Sequence, residues 1–290
     1  MFTERRDIMK TGLVMEGGAM RGMFTAGILD VFMENGIEFD GAIGTSAGAV
    51  FGCNYKSCQI GRTIRYNKKY CRDKRYVSFR SLLKTGNLYG VEFAYHLLPE
   101  KLDPFDNDAF MNNPMEFYVV CTNAETGKAV YHKCESGSGE DLEWMRASAS
   151  MPLVSEIVEI GDMRLSDGGV ADSIPIEYFK SIGYNKNVII LTQPLGYEKK
   201  KNKLLFFARI VLRKYPKLIE AMEKRHKEYN KTTKLIEEME NSGEALVIRP
   251  KEKLKIGHIE HNPDVLESVY QIGRKTGEEK LEEVKRFIEK

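Results

Sequence analysis

The chain has 290 residues, 42% of them hydrophobic and 30% charged, with a formal net charge of +2. That is the balance of a soluble globular protein, long enough for one large α/β domain or two smaller ones. It is not a polycation, which argues against nucleic acid as a partner. No run of about 18 apolar residues is present to span a membrane.

The N-terminus, "MFTERRDIMKTG", is charged and lacks the apolar core of a signal peptide. Five cysteines (Cys53, Cys58, Cys71, Cys121 and Cys134) are odd in number and scattered in spacing. They form neither a disulfide framework nor a zinc-ligand pattern. A cytoplasmic protein with free thiols is expected.

The first elements alternate. "GLVMEGG" (12–18) is a short apolar run ending in glycines, a buried strand entering a turn. From Arg21 to Asn35, Phe24, Ile28, Val31 and Phe32 fall at helical spacing, Asp30 and Glu34 take the other face, and Asn35-Gly36 stops the helix. "FDGAIG" (39–44) is a second strand, and the small residues of 46–58 suit a second helix. Two strands joined by such a helix make a right-handed βαβ unit with a parallel sheet.

Further along, "EFYVVCTNAETGKAVYH" (116–132) reads as two strands around a polar turn, and 140–152 as a helix stopped near Pro152. A hairpin is expected over 156–169, turning at Gly161-Asp162, then a helix over 173–183 and an apolar strand over 187–194. A basic, mostly helical segment runs to about Asn241, followed by a strand at 245–250 and a helix opened by Asn262-Pro263-Asp264. Residues 1–195 are expected to form the core, and 196–290 an elaboration packed on the same domain.

Three glycine-rich turns carry the chemistry. In "GAIGTSAGAV" (41–50), Gly44 and Gly48 stand two residues either side of Ser46, with a strand before and a helix after. This is the context of a nucleophile elbow, in which the helix N-terminus offers a positive dipole and free N–H groups, that of Ala47 among them. The plain alternative is an ordinary loop serine. A second Gly-Ser-Gly, at 137–139, has no apolar strand leading into it and reads as a simple loop.

The turn "EGGAMRG" (16–22) fails as a dinucleotide fingerprint, because Ala19 holds the third place and no acidic residue follows a second strand. It fails as a Walker loop, because Met23-Phe24 stands where Lys-Ser/Thr is needed. An oxyanion hole fits better, since it needs only donors and a tight turn. Arg21 is expected to brace this loop, with contact to a lipid phosphate as the alternative. In "SDGG" (166–169), Gly168 and Gly169 let the backbone fold close around Asp167; alone, Asp-Gly is a common turn signal.

In this order and spacing, Gly-Gly-Ala-x-Arg-Gly, Gly-x-Ser-x-Gly and Asp-Gly-Gly make the chain resemble the patatin-like phospholipase family, from about residue 12 to 194. "SASMP" (148–152) and "SIPI" (173–176) extend the likeness. The resemblance implies a three-layer α/β/α sandwich with a mainly parallel sheet and a Ser–Asp dyad cleaving acyl esters of lipids. It makes Ser46 the nucleophile, Asp167 the general base, and Gly17, Gly18 and Ala19 of the Gly17–Gly22 turn the oxyanion hole. Ala19 departs from the glycine usual there but still carries its N–H.

An aspartate can serve as base if burial raises its pKa toward working pH. The alternative is a soluble carboxylesterase with a Ser–Asp–His triad, for which His226, His258 and His261 follow the aspartate. A non-catalytic lipid-binding module on the same fold is a third reading. No metal or other cofactor is expected. Residues 62–84 hold nine basic residues against Asp73, and 199–217 hold eight against none, around "LLFFARIVL" (204–212). Both stretches suit transient contact with an anionic membrane on its inner face, or else a packed helix with a solvated basic face.

Overall fold

The computed structural model describes residues 10–289. In chain order it comprises β1 (Thr11–Met15), α1 (Gly22–Glu34), β2 (Gly41–Thr45), α2 (Ala47–Lys56), α3 (Arg62–Tyr70) and α4 (Phe79–Thr85). A wide π-helical segment, Glu92–Leu102, precedes α5 (Asn107–Asn112), β3 (Glu116–Asn123), β4 (Ala129–Cys134), α6 (Glu140–Ser148), β5 (Val158–Ile160) and β6 (Met163–Asp167). There follow α7 (Ile176–Ser181), β7 (Lys186–Ile190), α8 (Leu205–Val211), α9 (Pro216–Ser242), β8 (Ala245–Ile248) and α10 (Pro263–Glu289).

The eight strands form one sheet in the order β5-β6-β3-β2-β1-β7-β8, with β4 also paired to β3. The pairs from β3 through β2, β1 and β7 to β8 are parallel; β4, β5 and β6 add antiparallel ladders. Alternate residues of the central strands serve opposite faces, as the two-residue strand period requires. Leu13 and Met15 join the core under α1, α2 and α10, while Val14, Ile43 and Ile189 join the one under α7 and α9. The result is the expected three-layer α/β/α sandwich.

Two differences from the sequence pattern have physical causes. Asp30, on the polar stripe of α1, is buried, because α10 covers that stripe and Tyr270 donates to its carboxylate at 2.7 Å. The helix of α6 ends at Ser148, short of Pro152, because Ser148 and Ser150 are drawn into contacts with two other strand ends, described next.

Candidate active site

Register along β3 brings the site together. Val120 pairs with Thr45 of β2, and the next residue, Cys121, pairs with Asp167 of β6. Because β4 occupies the other edge of β3 over residues 117–122, β2 and β6 meet end to end along one edge. Ser46, one step past Thr45, therefore faces Asp167, and its Oγ donates to Asp167 Oδ2 at 2.7 Å.

Ser46 sits at φ 54° and ψ −120°, a strained geometry for a residue with a Cβ. The flanking glycines are needed for room. A Cβ on Gly48 would lie 2.5 Å from the Met15 carbonyl oxygen, and one on Gly44 would overlap the backbone of Gly48. The "SASMP" stretch clamps both partners. Ser148 Oγ accepts from the Ser46 N–H at 2.9 Å and donates to the Val120 carbonyl, while the Ser150 carbonyl accepts from the Asp167 N–H at 2.9 Å.

Of the expected anion donors, Gly17 is already engaged: its N–H donates to the Ser173 carbonyl at 3.3 Å. Gly18, Ala19 and Ala47 keep N–H groups with no backbone acceptor among the described residues. Ala19 reaches its place only at φ 49°, where an alanine is strained. Arg21 Nε donates to Thr192 Oγ1 at 3.4 Å. Gly22 leaves room for Phe51 and Ala47, and Gly168 for the Val120 backbone.

Burial pushes the Asp167 carboxyl above its ordinary value, and this outweighs Arg225, the Ser46 hydroxyl, the Gly169 N–H and Lys199, which all favour its charged form. Its second oxygen accepts from the Gly169 N–H at 2.7 Å. Among the described residues no histidine bonds to either partner. His261 Nδ1 is held by the Cys71 carbonyl at 2.5 Å, the buried His226 Nδ1 has no partner, and His258 lies near Arg21, Arg225 and Lys199.

Ser46 opens into a cavity of about 350 Å³ whose apolar wall includes Met20, Val50, Phe51, Leu98 and Met145. The 137–139 loop, a simple loop by its sequence, forms part of this wall. Gly139 repeats the backbone geometry of Ser46, at φ 55° and ψ −121°. Asp141 holds the loop by accepting the N–H groups of Glu135, Ser136 and Gly137. His132, Cys134 and Asp141 bring ligand-type atoms within 4.8 Å of one another. The Asp141 carboxylate is nevertheless saturated by those amides and by His132, whose ring stacks on Trp144.

A layer behind the site comes from residues that no motif marks. Glu16 is buried and accepts from Tyr229 at 2.8 Å and from the Thr192 N–H at 2.5 Å. Lys199 is pinned to α9 by Asn230, which accepts from its N–H at 2.8 Å and donates to its carbonyl at 3.1 Å. Its Nζ lies 4.1 Å over the Tyr229 ring, so this lysine of the basic segment points inward.

The family model for patatin-like phospholipases matches residues 13–180. The chain belongs to the patatin-like phospholipase family. The patatin core is followed by a match to a domain of unknown function (DUF6363) over residues 215–289. The uncharacterized protein YjjU of Escherichia coli (strain K12) is 28% identical over 194 residues, 64% of this chain and 52% of that protein. Lysophospholipase nte1 of Aspergillus niger is 29% identical over 178 residues, 59% of this chain and 11% of that protein. The chain thus spans about half the length of the one relative and about a tenth of the other. Among solved structures, VipD from Legionella pneumophila aligns with a TM-score of 0.47 at 12% identity, over 95% of this chain and 67% of that one.

Proposed function

We propose that this patatin-family chain is a serine acyl hydrolase of lipid carboxylic esters, working through a Ser46–Asp167 dyad and an acyl-enzyme. The observation that carries the reading is a serine hydroxyl that lines an apolar cavity and lies 2.7 Å from a buried carboxylate. Asp167 takes the Ser46 proton as Oγ attacks the ester carbonyl, then returns it to the departing alcohol. Water repeats the cycle on the acyl-enzyme. The free N–H groups of Gly18, Ala19 and Ala47 are the donors for the oxyanion, and a preorganised donor of this kind is typically worth 10²–10³ in turnover. The lysophospholipase named among the relatives supports a lipid ester as substrate.

A fluorophosphonate probe followed by peptide mass spectrometry tests this. Wild type should label at Ser46, and Ser46→Ala should neither label nor hydrolyse esters while keeping its circular dichroism. Labelling at another serine, or wild-type hydrolysis by Ser46→Ala, excludes the dyad.

Docking on an anionic membrane surface belongs to the same reading. In α8 only Leu205 and Ala208 are buried, leaving Phe206, Phe207, Ile210 and Val211 exposed beside Lys200, Lys201 and Lys203. This exposed apolar side supports docking over a packed helix with a solvated basic face. In the 62–84 stretch, Arg62, Arg65, Lys68 and Arg75 are committed to internal pairs, and the exposed Phe79 and Leu83 of α4 are its apolar contribution. Among the described residues, no helix is long and apolar enough to cross a membrane. All five cysteines are unpaired, which supports a reducing, cytoplasmic side for the contact.

A further inference from the structure

Three cations gather beside Asp167 on a flank that does not line the apolar cavity. An Arg225 guanidinium nitrogen and Asp167 Oδ1 lie 3.1 and 2.9 Å from the position that a Cβ on Gly169 would take, so this glycine lets α9 bring its arginine up to the base. One helical turn on, Tyr229 carries the Lys199 ammonium over its ring and donates to Glu16. Glu16 accepts the Thr192 N–H, and Thr192 Oγ1 accepts from Arg21. Arg21, Lys199 and Arg225 are thus linked around a single small region.

These three cations stand near only two carboxylates, Glu16 and Asp167. None of the three forms an ion pair among the described residues, and the Arg225 Nε is buried with no acceptor. The two nearby carboxylates are occupied: Glu16 by Tyr229 and Thr192, Asp167 by Ser46 and the Gly169 N–H. Burial first, then the neighbouring Arg225 and Arg21, push Lys199 down to about 7, against the pull of Glu16 and Asp167. An added anion would favour its charged form. A phosphate offers several acceptor oxygens at once, suited to a guanidinium fork and an ammonium together. With the acyl chain of an ester in the apolar cavity and its carbonyl at Ser46, the alcohol portion is what remains to reach this flank.

We propose that Arg225 and Lys199, with Arg21 at the edge, bind the phosphate on the alcohol side of the ester, making acylated glycerol phosphates with an anionic head group the preferred substrates. The inference rests on the acyl-hydrolase reading above, and it gives the DUF6363 segment a direct part in substrate choice.

Calorimetry on the Ser46→Ala protein separates the two readings, because it requires no turnover. Hexanoyl-glycerol 3-phosphate should bind at least about tenfold more tightly than uncharged hexanoylglycerol, the equivalent of one charge-assisted contact. Arg225→Gln and Lys199→Gln should each remove most of that preference, and Arg225→Lys, which keeps the charge, should restore part of it. Equal binding of the charged and uncharged ligands, or an unchanged preference in both glutamine variants, overturns the proposal. Inorganic phosphate binding as tightly as the acylated ligand also overturns it, in favour of a free-anion site. Selective binding without ester hydrolysis by the wild type would count against the hydrolase reading and leave the phosphate site standing.

Discussion

Asp167 carries a conflict between stability and chemistry. Its folded pKa lies above its unfolded one, because burial disfavours the charged form. In the window between the two values the folded state holds more protons than the unfolded state, so stability is highest at low pH and falls as pH rises through the window. Asp167→Asn removes that titration. The variant should gain melting temperature relative to wild type as pH rises from 4, with the difference levelling off once the wild-type carboxyl is fully ionised. The same change should lower ester turnover by on the order of 10²–10⁴. Thermal melts across pH 4–8 check the first part, and a stability difference that shrinks as pH rises would contradict it. Ser46 and Asp167 were legible from their motifs, because the glycines around them are dictated by close backbone approach. Glu16, Lys199, Arg225 and Tyr229 were not, since they meet only when α9 folds back over the sheet. Within "EKRHKEYNK" (223–231), the one signal is that Arg225 and Tyr229 stand one turn apart and in line with the apolar Leu218 and Met222.

At the scale of elements, α1 and α10 cross through glycine. A Cβ on Gly273 would overlap the Phe24 carbonyl, and one on Gly27 would overlap the Tyr270 carbonyl, whereas a Cβ on Gly277 would meet Val31 at 3.2 Å and the Ile28 backbone at 3.3 Å. The crossing is fastened by Tyr270 on Asp30 and by Arg274, which donates to Glu34 at 2.7 and 2.8 Å. Gly273→Ala should therefore cost about 3 kcal/mol, the upper part of the usual overpacking range. That corresponds to a fall in melting temperature of roughly 6–12 °C. Gly277→Ala should cost less than about 1 kcal/mol, because its smaller clash is offset by helix propensity. Denaturant titration of both variants decides, and equal effects would mean that the crossing is not close at Gly273. The strands and long helices of this frame were readable from their periodicity. Residues 59–115 gave no such pattern, because α3 to α5 are short and a π-helical segment containing Pro99 lies between them. Neither motif nor period showed that this stretch walls the cavity.

For the molecule as a whole, α4 and α8 flank one segment. Leu88 N–H donates to the Val154 carbonyl just past α4, and Leu153 and Ile157 pack with the buried side of α8. The 150–157 stretch between them contributes Ser150, Met151 and Ser155 to the cavity wall. Exposed apolar side chains on both helices thus flank a segment that lines the cavity, and insertion there would bring that wall to the lipid. Lys200→Gln, Lys201→Gln and Lys203→Gln combined should weaken cosedimentation with phosphatidylglycerol vesicles, each lysine being worth about 1 kcal/mol near an anionic surface. The loss should shrink as salt rises. Phe206→Ser with Phe207→Ser should weaken binding at every salt concentration, because insertion is not screened. Equal binding by all the variants would assign these residues to some other contact.

The crossing of α1 with α10 also has a consequence in time. Asp30 and Tyr270 are 240 residues apart in the chain. At a synthesis rate of about 5–20 residues per second, α1 leaves the ribosome on the order of 10–50 s before its partner exists. Throughout that interval Gly27 has no helix to lie against, and until residues 186–190 are made β1 also lacks β7 on one edge. The segment bearing the serine is made early, yet one face of the helix that precedes it is covered only when α10 has been synthesised, so its apolar surface stays open to water for that interval.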